Sequence, residues 1–293
     1  MVLLQGTIVA QALKNDLKAI VDSILLENKR APNLAAILVG DNGASKTYVS
    51  NKIKACKEVG FQSTIINLDE NVDQSILINQ IEKLNNNSAI DGILVQLPLP
   101  KQINEQDIVK SINPSKDVDG FHPLNTGKLL TGNPDFIPAT PFGILLMLSH
   151  YNIETSGKKV VVIGRSNIVG RPISILLSQL GQNGNATVTV CHSKTNNIEQ
   201  LCLEADIVIA AVGIPNFVKG NMIKNGAVVI DVGITRVPDN SKKLGYSIKG
   251  DVAFDEVFEK CSYITPVPGG VGLTTIAALL KNTLHAYYMN QGI

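Results

Sequence analysis

The sequence lacks an excess of either charge. Its 26 Lys and Arg nearly cancel its 25 Asp and Glu, leaving a formal net charge of +1. Such totals imply no basic face, which argues against nucleic acid or an anionic membrane as the main partner. Paired cysteine motifs are also missing. Cys56, Cys191, Cys202 and Cys261 form no C-x-x-C and have no ligand-like spacing with His122, His150, His192 and His285. They read as reduced thiols of a cytoplasmic protein, against a disulfide framework or a structural metal site. No apolar run approaches the roughly 18 residues of a spanning helix. The opening MVLLQGTIVAQALKNDLK has neither a basic n-region nor a long apolar core, so no signal peptide is expected. Tryptophan is absent altogether. What is present is a globular composition: 293 residues, 44% hydrophobic and 17% charged, with 24 Gly and 13 Pro. That length suits about two domains, each with a core of its own.

Apolar runs alternate with amphipathic stretches along the chain. Residues 8–28 carry Leu13, Leu17, Ile20 and Ile24 at helical spacing before Pro32 breaks the segment. LAAILV (34–39), FQSTIINL (61–68) and GILVQL (92–97) read as strands, separated by helices over 44–59 and 73–86, with a short helix near 104–112. This order predicts a parallel sheet with right-handed crossovers. The cadence then restarts. A helix over 141–152 precedes strands at 158–164, 186–192, 206–213 and 226–234, with helices near 170–180 and 196–204 and a final helix over 273–289. The fold class is therefore α/β with two domains, and the Pro- and Gly-bearing segment 131–141 is the expected boundary.

The clearest nucleotide signal is VVVIGRSNIVGRP (160–172). A β-branched strand ends at Gly164 and a helix opens near Gly170, so backbone N–H groups and the positive helix end can face an anion such as pyrophosphate. The spacing is Gly164-x-Ser166-x-x-x-Gly170 rather than the strict G-x-G-x-x-G, and an ordinary strand-to-helix turn would look similar. The next strand ends in Cys191-His192-Ser193-Lys194-Thr195, with no carboxylate to hold a ribose 2′-hydroxyl. Hydroxyls and cations suit a 2′-phosphate, and Arg165 could add a bidentate contact, so NADP is favoured over NAD. Earlier, Gly40-Asp-Asn-Gly-Ala-Ser-Lys-Thr47 approaches a P-loop, but Ser45 stands where the second glycine belongs, which argues against an ATPase.

Within the following helix Tyr48 and Lys52 lie four apart and share a face. A lysine beside an aromatic ring in a cleft can lose solvation and become a usable base, although a solvated Lys packing its stem on a Tyr has the same spacing. Gln96 closes its strand ahead of two prolines, and Asp117 and Asp119 lie in the loop 116–123, where the carboxyl edge of a parallel sheet receives ligands. No third oxygen ligand follows the two Asp at regular spacing. Thr265-Pro-Val-Pro-Gly-Gly-Val-Gly272 reads as a stiff turn open to a flat ligand.

Together these segments resemble the methylenetetrahydrofolate dehydrogenase/methenyltetrahydrofolate cyclohydrolase family. The resemblance is carried by VGDNGASKTYVSNKIKACKEVG (39–60), DGILVQLPLP (91–100), KDVDGFHP (116–123), PATPFG (138–143), VVIGRSNIVGRP (161–172), CHSKT (191–195), VIDVGI (229–234) and YITPVPGGVG (263–272). One departure stands out: the family usually continues with Pro-Met-Thr, where this chain has Leu273-Thr274-Thr275. The resemblance implies NADP-dependent oxidation of 5,10-methylenetetrahydrofolate to the methenyl cation and its hydrolysis to 10-formyltetrahydrofolate. It further implies a folate domain over 1–140 completed by 273–293, a Rossmann-like NADP domain over 141–272, and folate lying between them. By the same resemblance Lys52 is the catalytic lysine, Gln96 orients its amine, Tyr48 flanks the folate and Asp119 anchors the pterin. Val95, Leu97, Pro268, Gly269 and Gly270 are further substrate contacts. Thr140, Gly164, Arg165, Ser166, His192, Ser193 and Ile234 are cofactor contacts. A homodimer in cytoplasmic one-carbon metabolism and purine biosynthesis is expected. The competing readings are a shikimate-type dehydrogenase and a folate-binding module without turnover.

Overall fold

The computed structural model describes residues 1–242 and 245–292. In chain order the elements are β1 (Val2–Leu3), α1 (Gly6–Leu26), β2 (Asn33–Val39), α2 (Gly43–Glu58), β3 (Gln62–Leu68), α3 (Gln74–Asn85), β4 (Gly92–Val95), α4 (Glu105–Ser111), α5 (Pro123–Leu130) and α6 (Ala139–His150). There follow β5 (Lys159–Ile163), α7 (Gly170–Ser178), β6 (Thr187–Cys191), α8 (Ile198–Glu204), β7 (Ile207–Ala210) and β8 (Val228–Asp231). The chain ends with β9 (Thr235–Pro238), β10 (Tyr246–Lys249), α9 (Phe254–Val257), β11 (Tyr263–Ile264) and α10 (Val271–Gln291). They form two compact units, one from Gln11–Ala139 with the chain from Ile276 onward, the other from Met1–Ala10 with Thr140–Thr275. No helix among the described residues is long and apolar enough to cross a membrane.

The first unit is built on a parallel three-stranded sheet, ordered β3-β2-β4. Its central strand is buried along its whole length. Successive side chains point to opposite faces, so β2 feeds two cores at once. Leu34, Ala36 and Leu38 join residues of α1, α2 and α10, while Ala35, Ile37 and Val39 join those of α3 and α4. Of the expected apolar face of α1, Leu17 and Ile24 are buried, but Ile20 is exposed and Val21 takes its place in the core. The later part of α10 belongs to this unit: Leu279, Leu280, Leu284 and Tyr287 complete its core, and Asn282 Nδ2 donates to the carbonyls of Val118 and Ile137, each at 2.8 Å.

The second unit carries a parallel sheet of six strands, ordered β1-β11-β8-β7-β5-β6. Residues 1–10, expected with the first domain, group by contact with this second unit. β1 pairs with β11, with Val2 opposite Tyr263, so the chain start is an edge strand of the second unit. Among the strands, β7 and β8 fall furthest short of expectation. β7 ends at Ala210 because the Asp251 carboxylate captures the Val212 and Gly213 N–H groups. β8 ends at Asp231, whose own carboxylate accepts from Gly233 N and turns the chain. The antiparallel pair β9–β10 and helix α5 were not anticipated.

A buried ion pair closes the base of the first unit. Asp91 is fully buried and accepts from both terminal nitrogens of Arg30, at 2.6 and 2.7 Å, and from Asn33 N at 2.8 Å. The Arg30 guanidinium also lies over the Tyr287 ring, 5.2 Å from its centre, tying α10 to the end of α1. Removing one partner of such a pair leaves the other without compensation. Asp91→Ala is therefore expected to destabilise the protein by about 3 kcal/mol, read from the urea midpoint of unfolding. A loss below about 1 kcal/mol, the range of an exposed pair, would contradict this assignment.

Candidate active site

Helix α2 places the lysine. Its first turn is capped by Asn42, whose side-chain oxygen accepts from Ala44 N and Ser45 N. Ser45, Val49, Lys52, Ala55 and Cys56 form its buried face. Lys52 is 9% exposed, and its Nζ donates to Gln96 Oε1 at 3.0 Å. The Gln96 amide is fixed from its other end, where Nε2 donates to the Leu97 carbonyl at 2.7 Å, so its oxygen is committed to the lysine. Gln96 N extends the β2–β4 ladder by donating to Ile37 O. Val95, one residue earlier, turns its side chain into the core and has only backbone to offer a ligand. Tyr48 is half-buried one turn before Lys52.

Asp119 lies in a loop pinned on both sides. Before it, Lys116 Nζ donates to the carbonyls of Leu84, Asn85 and Asn87 at 2.8–3.0 Å. These carbonyls lie in and just beyond the last turn of α3, where the helix dipole favours a cation. After it, Asp117 accepts from Phe121 N, His122 N and Asn125 Nδ2. Gly120 adopts φ +72° against the Pro138 backbone, which leaves no room for a side chain. The Asp119 carboxylate accepts no hydrogen bond from the described residues and is thus open to donors on a ligand. Burial pushes its carboxyl up to about 6, a rise that Lys52 opposes and Asp117 reinforces. Burial also lowers the Lys52 amine from its usual value, with Asp119 opposing. Burial and the Asp119 charge thus act on the amine in opposite senses, burial being the larger.

In the second unit β5 ends at Ile163 and Gly164 turns the chain at φ +119°, packed on the Ala211 carbonyl where a Cβ would fall. Gly170 opens α7 against the Gly164 carbonyl with equally little room. Ser166 Oγ accepts from Val169 N and Gly170 N, at 3.1 and 3.3 Å, at the start of that helix. Arg165 and Ser166 are exposed. β6 lies beside β5, with Ile163 opposite Cys191 and Gly164 N donating to Cys191 O, so the turn after β6 starts at the same sheet edge. That turn closes on itself: His192 N donates to Thr195 Oγ1 and Lys194 N to His192 Nδ1. Ser193 and Lys194 are exposed, and the turn holds no carboxylate. These features fit a dinucleotide with a 2′-phosphate: glycines for close approach, an exposed Arg165, and hydroxyls where NAD sites carry an acid.

Thr140 and Pro268–Gly270 also belong to this second unit, whereas Tyr48, Lys52, Val95, Gln96, Leu97 and Asp119 all belong to the first. Thr275 Oγ1 donates to Thr140 Oγ1 at 3.2 Å. Gly269 O accepts from Gly6 N, and Ile234 is 42% exposed. At the family departure, Leu273 N donates to Gly270 O, a bond a proline could not make, and Thr274 is buried with its hydroxyl on Val271 O. The supporting roles of Lys116, Asn125, Asp231 and Asp251 do not show in the sequence, because buried side chains bonded to distant backbone groups leave no spacing pattern.

Comparison with known proteins agrees with this geometry. The family model for the tetrahydrofolate dehydrogenase/cyclohydrolase catalytic domain matches residues 4–119, and that for the NAD(P)-binding domain matches residues 138–291. The bifunctional protein FolD of Flavobacterium psychrophilum is 55% identical over 98% of this chain and 97% of its own length. The crystal structure of the Campylobacter jejuni bifunctional enzyme FolD is 46% identical, with a TM-score of 0.92 over 99% of both chains. The Trypanosoma brucei methylenetetrahydrofolate dehydrogenase-cyclohydrolase, complexed with NADP cofactor and inhibitor, is 40% identical with a TM-score of 0.95, covering 100% of this chain and 99% of its own. Shikimate dehydrogenase from Aquifex aeolicus, at 14% identity and a TM-score of 0.52 over 89% of this chain and 93% of its own, shares the fold alone. With its catalytic and cofactor domains both matched along nearly the whole chain, this protein belongs to the tetrahydrofolate dehydrogenase/cyclohydrolase family.

Proposed function

We propose that the chain oxidises 5,10-methylenetetrahydrofolate with NADP and hydrolyses the resulting methenyl cation to 10-formyltetrahydrofolate. The observation that carries this reading is the buried Lys52 Nζ, held 3.0 Å from Gln96 Oε1 and facing the charge of Asp119. Gly164, Arg165, Ser166, His192, Ser193 and Ile234 hold NADP, which when bound supplies the hydride acceptor. Hydride loss from the bridging carbon leaves a cation delocalised over two nitrogens, so this half of the chemistry needs positioning more than an acid. Asp119 supplies part of that positioning by accepting from the amino and N–H edge of the pterin, and Tyr48 flanks the ring. Hydrolysis makes other demands. Water attacking the methenyl carbon sheds a proton, and the amine at Lys52 Nζ, whose neutral form burial favours, takes it and returns it to the departing ring nitrogen. Gln96 holds the amine on line while it does so.

We further propose a cytoplasmic homodimer that feeds purine biosynthesis and has no nucleic-acid or membrane partner. Supporting this are the near-zero net charge, the four buried free thiols, and β6, an edge strand on which Val190 is exposed.

Three outcomes are expected. Lys52→Met lowers methenyltetrahydrofolate hydrolysis by about 10²–10⁴-fold, the usual worth of a general base, measured by loss of methenyl absorbance; hydrolysis at the parent rate would remove Lys52 from the mechanism. Asp119 is ionised mainly above pH 6, because its carboxyl is pushed up to about 6. The KM for methylenetetrahydrofolate therefore rises as pH falls through that value, and Asp119→Asn, which cannot titrate, shows a raised but flat KM; an unchanged limb in the variant would contradict the assignment. Finally, kcat/KM for NADP exceeds that for NAD by about tenfold or more, as one charge-assisted contact to the 2′-phosphate would provide, and Arg165→Ala narrows the ratio. A preference for NAD would overturn the reading of Arg165 and Ser193.

A further inference from the structure

We infer that Asp231 and Asp251 are positioning residues for the cofactor: a buried carboxylate pair that fixes the two turns beneath the nicotinamide half of NADP. The inference rests on the cofactor reading above.

The sheet order places the turns. In a doubly wound sheet the dinucleotide crosses the carboxyl edge at the strand bearing the glycine turn, with its adenosine ribose over the neighbouring strand. Here the glycine turn follows β5, and the turn suited to the 2′-phosphate follows β6. The other nucleotide must then lie on the opposite side of β5, over the ends of β7 and β8. Those two ends are where the carboxylates act. Asp251 Oδ2 accepts from Val212 N at 2.7 Å and Gly213 N at 3.0 Å, fixing the turn after β7. The carbonyl of Ala211 in this turn is the surface against which Gly164 packs. Asp231 Oδ1 accepts from Gly233 N at 2.9 Å, fixing the turn that presents Ile234.

The two carboxylates also hold one another's segments. Asp231 accepts from Asp251 N at 2.8 Å and Val252 N at 3.0 Å. Gly233 packs on Asp251 Oδ1, and Gly250 on Asp231 Oδ2, each so closely that a Cβ would overlap the oxygen. Thr265 Oγ1 accepts from Asp231 N, adding the end of β11 to the cluster. Asp231 and Asp251 are 3% and 0% exposed, and Asp251 Oδ1 has no hydrogen-bond partner among the described residues. Two adjacent buried acids with an unsatisfied oxygen are costly where stability alone is at stake. Strain of this kind concentrates at functional sites, and this pair joins the β7 turn to the β8 turn directly under the proposed ligand.

The test uses the whole enzyme and two variants. Asp251→Asn removes the charge but keeps an oxygen for Val212 and Gly213; Gly233→Ala retains both acids in the sequence, but its Cβ overlaps the Asp251 carboxylate and backbone nitrogen and shifts them. NADP affinity by titration calorimetry, kcat and KM for both substrates, and methenyltetrahydrofolate hydrolysis are compared with the parent. In both variants the Kd and KM for NADP are expected to rise about tenfold or more, the scale of hydrogen bonds to a carboxylate. The KM for methylenetetrahydrofolate and the hydrolysis rate are expected to stay within about twofold, because Lys52, Gln96 and Asp119 belong to the other unit; that margin is about 0.4 kcal/mol by the arithmetic of binding. NADP affinity unchanged in a folded Asp251→Asn, or hydrolysis falling in step with NADP affinity, would overturn the inference. If Asp251→Asn does not fold, Gly233→Ala decides by the same criteria. A parent enzyme that bound neither NADP nor NAD would instead refute the cofactor reading and the inference with it, an outcome distinct from normal binding in parent and variants alike.

Discussion

The catalytic reading depends on one amine kept out of water. A lysine on a solvated helix face would stay protonated and could serve only as a cation. Lys52 differs because α2 turns it onto the buried face, between Val49 and Cys56, where burial favours the neutral form. Asp119 draws it the other way. Burial and a nearby carboxylate therefore pull the amine in opposite directions, the balance on which the proposed proton transfer rests. Gln96 contributes direction: its oxygen can point only at Lys52, since its nitrogen is committed to the Leu97 carbonyl.

Around that centre the chain uses one structural solution repeatedly. Asp91, Asp117, Asp231 and Asp251 are each almost fully buried, and each accepts from at least one backbone N–H of a loop or strand end. Charge-assisted bonds of this kind are stronger and shorter than neutral ones. They let loops at the carboxyl edges of two parallel sheets hold fixed shapes without regular secondary structure of their own. Asp117 does this for the loop bearing Asp119, while Asp231 and Asp251 do it for the turns after β8 and β7. Lys116 complements them from the opposite charge, capping α3 just before the loop begins.

Much of this fold is legible in the residues because its signals are local. The run LAAILV marks β2, since a short apolar run that stops at a glycine suits a strand buried on both faces. Gly60 after α2 and the strand-to-turn change at Gly164 mark their boundaries for similar reasons. Other features depend on partners far along the chain. β1 and β11 are two residues each, too short to show a period, and exist because they pair with one another and with β8. The ends of β7 and β8 fall short of the apolar runs 206–213 and 226–234 because carboxylates capture the next N–H groups. On α1 both Ile20 and Val21 fit helical spacing after Leu17, and only the neighbours decide that Val21 is inside. The site divides likewise. Tyr48 and Lys52 share a helix face by spacing alone, but the bond from Lys52 to Gln96 spans 44 positions, and no periodicity announces it. Family resemblance supplied that link, and the geometry gives it a physical cause.

The most direct test of the central claim is the pKa of the Lys52 amine in the folded enzyme, followed by NMR of lysine labelled with carbon-13 next to Nζ and assigned with Lys52→Met. The account predicts titration below the ordinary lysine value of 10.5, and a further fall in Asp119→Asn, because the carboxylate opposes the effect of burial. A Lys52 amine that titrates at or above 10.5, unmoved by loss of the Asp119 charge, would contradict the account.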